Sequence, residues 1–196
     1  MILPIVAYGD PVLRKMGKEI EKDYKDLDLL IENMWETMNK ALGVGLAAPQ
    51  IGKAIRLFIV DTFPFSHGSG SEDFTEQERE ELANFKRVFI NAQIIEEEGN
   101  PWAFNEGCLS IPGIREDVQR SPTVRIRYMN EDFEEFEEEF DGLIARVIQH
   151  EYDHIEGKLF TDKISPLRRR LIQGKLKNIT KGKKVDVAYK MRFPKL

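Results

Sequence analysis

The chain has 196 residues, 41% of them apolar and 32% charged. That suits one domain with a buried core, and no stretch approaches the roughly 18 uncharged apolar residues that a membrane span needs. Its single cysteine excludes an internal disulfide framework and fits a reducing, cytoplasmic setting.

The first residues, MILPIVAYGDPVL, are apolar but carry neither a basic flank nor a small-residue cleavage site, and are expected to belong to the mature protein. Asp10 followed by Pro11 predicts a short helix. Leu27, Leu30, Ile31, Met34, Trp35, Met38 and Leu42 recur at helical spacing, and Gly43 is the expected stop. Residues 55–61 (IRLFIVD) and 87–95 (RVFINAQII) read as buried strands. The segment between them, residues 62–85, is rich in Ser, Gly and acid. It predicts a surface insertion loop holding one helix, TEQEREELANF, capped by Thr75. PWAFNEG suits a strand, and TVRIRYM alternates with Val124, Ile126 and Tyr128 facing one way. In DFEEFEEEF, Phe133, Phe136 and Phe140 are spaced like a helix face, but the preceding strand and MNED turn favour a hairpin strand. DGLIARVIQHEYDHIEG predicts a helix from Asp141 to Gly157, apolar around most of its circumference and therefore buried. A basic helix, PLRRRLIQGKLKNI, follows. Residues 163–196 hold twelve Lys or Arg against Asp186 alone, a net of +11. Since the whole chain is −5, the first 162 residues carry −16. Such a tail suits an acidic partner such as nucleic acid, and equally a solvated helix.

His150 and His154 lie four apart, so on a helix they share a face and their imidazoles converge on one ion. Glu151 is offset enough to avoid ligation and close enough to reach a water at that ion. Two core histidines at this spacing are the bland alternative. A zinc protease would carry its third ligand downstream. Gly157 fits the extended motif, but Phe160 stands where the last histidine belongs. Beyond Glu156 there is no Glu, His or Cys, only Asp162 and Asp186. Upstream, His67 sits in the Ser/Gly loop, whereas Cys108 follows Gly107 in the ordered-looking EGCLSIPG. Cys108 is therefore the preferred third ligand over a plain core cysteine, and a Cys-His-His set leaves a fourth position for water, the catalytic pattern. GVGLAAPQ reads either as a tight turn or as a backbone open to an added peptide strand.

GVGLAAPQ (43–50), EGCLS (106–110) and HEYDH (150–154) together resemble, unbroken and in order, the three signature motifs of peptide deformylases. The resemblance spans about residues 4–165. It departs at the 62–85 loop, which is longer, and at Arg146, where an apolar residue is expected near the substrate. It implies removal of the formyl group from formyl-methionine of nascent polypeptides, with Cys108, His150 and His154 holding one divalent ion. That ion is expected to be Fe²⁺, with Zn²⁺, Ni²⁺ or Co²⁺ as substitutes, although sulfur and nitrogen ligands by themselves suggest zinc. Glu151 would move the proton of a water whose pKa falls towards roughly 7 at the ion. The Gln50 side chain and the Leu109 backbone N–H would meet the developing oxyanion. Val44 and Gly45 would bind the peptide backbone, and Phe104, Leu143 and Val147 would line the methionine pocket, Leu143 and Val147 being equally compatible with a core role. Glu106 and Arg120 are expected to pair behind Cys108, with Asp153 orienting a ligand histidine; solvation is the alternative for Arg120. Arg146 either lies on the pocket rim with its charge in water or pairs with an acid. The partners implied are the nascent chain and, through the basic tail, the ribosome, with no membrane. The expected fold is α+β: mixed or antiparallel sheets around a central buried helix carrying the His-Glu-x-x-His motif. Residues 1–196 form one catalytic domain, with 62–85 as insertion and 163–196 as basic helix and tail.

Overall fold

The computed structural model describes residues 1–68 and 71–195, so Ser69 and Gly70 of the insertion loop and Leu196 lie outside the described residues. Strand β1 (Ile5–Val6) leads into a 3₁₀ turn at Pro11–Arg14, where the Asp10 carboxylate accepts from Val12 N–H at 2.9 Å. Helix α1 (Leu27–Lys40) precedes β2 (Gly45–Ala47) and β3 (Leu57–Asp61). The 62–85 insertion holds two helices, α2 (Phe63–His67) and α3 (Glu76–Asn84). Thr75 caps α3 as expected, in a reciprocal box in which Thr75 N–H donates to Glu78 Oε2 at 2.8 Å and Glu78 N–H to Thr75 Oγ1 at 3.2 Å.

The long strand β4 (Lys86–Glu98) is followed by the hairpin β5 (Trp102–Cys108) and β6 (Ile111–Arg120), then by β7 (Thr123–Met129) and β8 (Glu135–Asp141). Residues 133–141 thus take the hairpin reading: Phe133 turns at φ 62°, and Tyr128 pairs with Phe136. Helix α4 (Gly142–Ile155), helix α5 (Pro166–Thr180) and the short β9 (Met191–Arg192) complete the chain.

One antiparallel sheet runs in the order β2-β3-β4-β7-β8; β5-β6 form a separate hairpin, and β1 pairs in parallel with β9. Strand β3 is buried on both faces, which is why its sequence is a continuous apolar run. Leu57 and Ile59 face α1, packing with Leu30, Ile31, Met34 and Met38. Phe58 and Val60 face α4, packing with Val147, Ile148 and Ile155. Helix α4 therefore lies against the sheet, with the hairpin and α5 closing the far side through Ile111, Ile114, Val118, Ile172 and Leu176. Among the described residues no helix is long and apolar enough to cross a membrane.

Two helix ends differ from expectation. Leu42, not Gly43, takes the left-handed conformation after α1 (φ 57°), and it is 90% exposed. Asp141 precedes α4 without a side-chain cap; the backbone turns instead at Gly142 (φ 56°). Strand β6 escaped sequence reading because its inward row contains Glu116 and Arg120, two buried charges that break the apolar alternation.

Candidate metal centre

Helix α4 sets His150 and His154 one turn apart on the face turned to the hairpin. The β5-β6 register breaks between Gly107, paired with Arg115, and Cys108, paired with Ile111. That bulge ends the strand beside α4 and delivers the thiol to the imidazoles. One donor atom each from Cys108, His150 and His154 lies within 4.8 Å of the others, and Cys108 Sγ is 3.3 Å from His154 Nε2. His67, the rejected upstream candidate, sits on α2 stacked against Phe63, away from this cluster.

Glu106 organises the cluster from behind. Its carboxylate receives Arg120 Nε at 2.7 Å and Nη2 at 3.0 Å, Arg146 Nη1 at 3.0 Å, and meets His150 Nδ1 at 2.9 Å. Burial by itself would raise its pKa, but His150 and Arg120 together outweigh that and hold it well below the usual carboxylate range. The pairing expected of Glu106 and Arg120 is present, and Arg120 is 4% exposed rather than solvated. Asp153 is a correction. It accepts from Arg120 Nη1 at 2.7 Å, with Lys163 at 3.6 Å, so it steadies the arginine, and the carboxylate on the histidine is that of Glu106. Of the two readings for Arg146, the acid pair holds. Its Nη atoms also donate to the carbonyls of Val118 (2.8 Å) and Trp102 (2.6 Å), and its guanidinium lies 4.4 Å from the Trp102 ring centre.

Glu151 is buried with Oε2 lacking any hydrogen-bond partner, and burial pushes its carboxyl up to about 7. Gly45 makes room for it: a Cβ there would stand 2.7 Å from Glu151 Cδ. His154 Nδ1 is likewise buried and unpartnered. Burial opposes protonation of His150, yet Cys108 and Glu106 raise its pKa well above the imidazole range; His154 is driven well below it by burial and the charge on His150. A sulfur and two imidazoles converging within 4.8 Å of one another, with the second nitrogen of His150 held by the Glu106 carboxylate, form a donor set suited to a divalent cation.

Gln50 lies in the 3₁₀ turn Ala48–Ile51. Its Oε1 accepts from Ala47 N–H at 2.9 Å, which turns Nε2 towards Cys108 Sγ (3.4 Å) and Ser110 Oγ (3.3 Å). A cavity of about 560 Å³ opens over the cluster, and Val44, Gly45, Gln50, Phe104, Leu109 and Val147 are on its wall with His150 and Glu151. Leu143 is not among the wall residues; it is half-buried in the first turn of α4, one turn before Val147. The wall also includes residues that no motif announced. Pro64 and Phe65 come from α2, with Phe65 edge-on to Phe104 at 6.5 Å. Val187 and Tyr189 come from the far C-terminal segment. Tyr189 donates its hydroxyl to the Leu109 carbonyl at 2.8 Å, and burial raises its pKa to about 12, so it remains a donor at neutral pH.

Residues 2–170 match the Polypeptide deformylase family. The chain is 64% identical over 193 residues to the peptide deformylase of Flavobacterium johnsoniae, covering 98% of this chain and 96% of that one. It is 50% identical over 194 residues to that of Cytophaga hutchinsonii, covering 99% and 98%. Among solved structures, the peptide deformylase of Thermus thermophilus superposes with a TM-score of 0.78 at 37% identity, covering 93% of this chain and 99% of that one. The Legionella pneumophila peptide deformylase gives 0.75 at 35%, covering 92% and 96%.

Proposed function

The chain belongs to the peptide deformylase family, metal-dependent hydrolases that remove the N-formyl group from nascent polypeptides, and on that premise we propose how its own residues divide the work. Cys108, His150 and His154 hold the metal, with Fe²⁺ as the native ion and Zn²⁺, Ni²⁺ or Co²⁺ as substitutes. When bound, the ion supplies Lewis acidity to the formyl oxygen and the attacking water. Glu106, fixed by Arg120 and Arg146, orients His150 through Nδ1, and Asp153 secures Arg120.

Glu151 takes a proton from water as the water oxygen adds to the formyl carbon. It passes that proton to the peptide nitrogen as the C–N bond breaks, leaving formate and a free amine. A buried carboxylate whose Oε2 has no other hydrogen-bond partner is free to make both transfers. Gln50 Nε2 and Leu109 N–H donate to the oxygen on which charge develops. The substrate backbone extends β2, an edge strand of the five-stranded sheet, along Val44 and Gly45. Phe104 and Val147 take the methionine side chain. Leu143 supports Val147 from the preceding turn. Residues 1–196 act as one catalytic domain, and α5 with the basic tail faces the ribosome in the cytoplasm, where formylated chains emerge.

The observation that carries this reading is the convergence of one thiol and two imidazoles beside a buried, unpartnered glutamate. The test is formate release from a formyl-Met tripeptide set against cleavage of an internal peptide bond, with the metal counted after anaerobic purification. Glu151→Ala is expected to retain its metal and lose about 100-fold or more in rate. Deformylation at close to the parent rate would remove Glu151 from its role.

A further inference from the structure

The two-residue turn between β5 and β6, Leu109-Ser110, carries backbone groups that the hairpin ladder does not pair. Its carbonyls are taken up by the two ends of the chain. Tyr8 N–H donates to the Ser110 carbonyl at 2.8 Å, and the Tyr189 hydroxyl donates to the Leu109 carbonyl at 2.8 Å. The two tyrosines are held together by the β1-β9 ribbon, in which Ile5 pairs with Met191 and Val6 with Arg192. Ala7 N–H donates to the Arg192 carbonyl and Ile5 N–H to the Lys190 carbonyl, each at 2.9 Å. The ribbon is thus a brace behind the turn next to Cys108, and Val187 and Tyr189 continue from it into the cavity wall.

We propose that Tyr189 is a positioning residue for deformylation: its hydroxyl anchors the carbonyl of the Leu109–Ser110 peptide and, across the Leu109 Cα, restrains the preceding Cys108–Leu109 peptide, so that the Leu109 N–H stays aimed at the substrate oxygen. This rests on the role given to Leu109 above. The hydroxyl is the only part of Tyr189 the proposal uses, and it satisfies a carbonyl beside the reacting centre, where a displacement of about 1 Å is enough to cost about 100-fold in rate. The ring has a separate task, as part of the wall.

Tyr189→Phe separates the two, because it keeps the ring and removes the donor. Steady-state kinetics on a formyl-Met tripeptide, with metal content and Tm recorded alongside, are expected to show kcat reduced about tenfold or more, KM within about twofold of the parent, and full metal content. A peptide aldehyde whose hydrate mimics the tetrahedral species should lose affinity by a similar factor, while the deformylated product peptide should bind as before. The proposal is overturned if kcat is unchanged, whatever happens to Tm, because the bond is then only structural. It is overturned equally if KM alone rises, or if the loss of kcat follows loss of metal. If the unaltered chain releases no formate, the reading of the site fails instead.

Discussion

At the scale of single residues, the site depends on how tightly Glu151 is enclosed. Gly45 packs against it, and a methyl group there would stand 2.7 Å from the carboxyl carbon. Gly45→Ala is therefore expected to displace Glu151 and lower kcat/KM by about 100-fold, with the metal retained. A rate within a few-fold of the parent would mean that the carboxylate has room to move. The enclosure also sets a pH dependence. Glu151 titrates at 4.5 when exposed and at about 7 in the fold, so the folded state holds a proton that the unfolded chain has released. That contribution is complete below pH 4.5 and is lost as pH rises through 7. In metal-free protein, the parent should lose stability relative to Glu151→Gln by on the order of 3 kcal/mol across this window. Denaturant unfolding of both proteins at the two ends of the window measures it, and parallel curves would contradict it.

At the scale of elements, α4 and the β5-β6 hairpin form the working pair, joined by Arg146, whose side chain reaches from the helix to Glu106 and to the carbonyls of Trp102 and Val118 on both hairpin strands. An apolar side chain at this position could make none of these bonds. The end of α1 illustrates an opposite economy. Leu42 takes a left-handed conformation that costs an L-residue roughly 1–2 kcal/mol, and its side chain is almost wholly exposed. Leu42→Gly relieves that cost and loses part of the gain to the greater freedom of the unfolded chain. The expected outcome is a net stabilisation of about 0.5–1 kcal/mol, a rise in Tm of roughly 1–4 °C by calorimetry. A fall in Tm would show that the leucine makes a contact worth more than its strain.

At the scale of the whole molecule, charge is segregated. The last 34 residues carry +11 and the rest −16, and on α5 the side chains of Arg170, Lys175 and Lys177 are exposed while Ile172, Leu176 and Ile179 anchor the helix to the core. Changing these three cations to Gln leaves the packed face untouched. It should lower the slope of log affinity for ribosomes against log salt by about two to three. Binding that is unchanged by the substitutions, or indifferent to salt, would rule out an electrostatic contact through this helix.

The sequence by itself singled out the cluster of Cys108, His150 and His154 that the fold brings together. Periodicity placed both histidines on one helix, comparison of the remaining candidates favoured Cys108 as the third member, and three short motifs in order were enough for the family, because metal ligation demands particular side chains at fixed spacings. It also determined β3, β4, β7 and α1, whose apolar rows face a core on one or both sides. Only the tertiary structure decided what stands behind and around the centre. Arg146 stood between a place on the pocket rim and an acid pair, and Asp153 read as a histidine's partner, until the fold buried them around Glu106 and Arg120; β6 was hidden by its own buried charges, Glu116 and Arg120. Val187 and Tyr189 entered the cavity through pairing of the two chain ends. These last features join residues tens of positions apart through single hydrogen bonds and ion pairs, and no local pattern records contacts whose two halves share neither a segment nor a period.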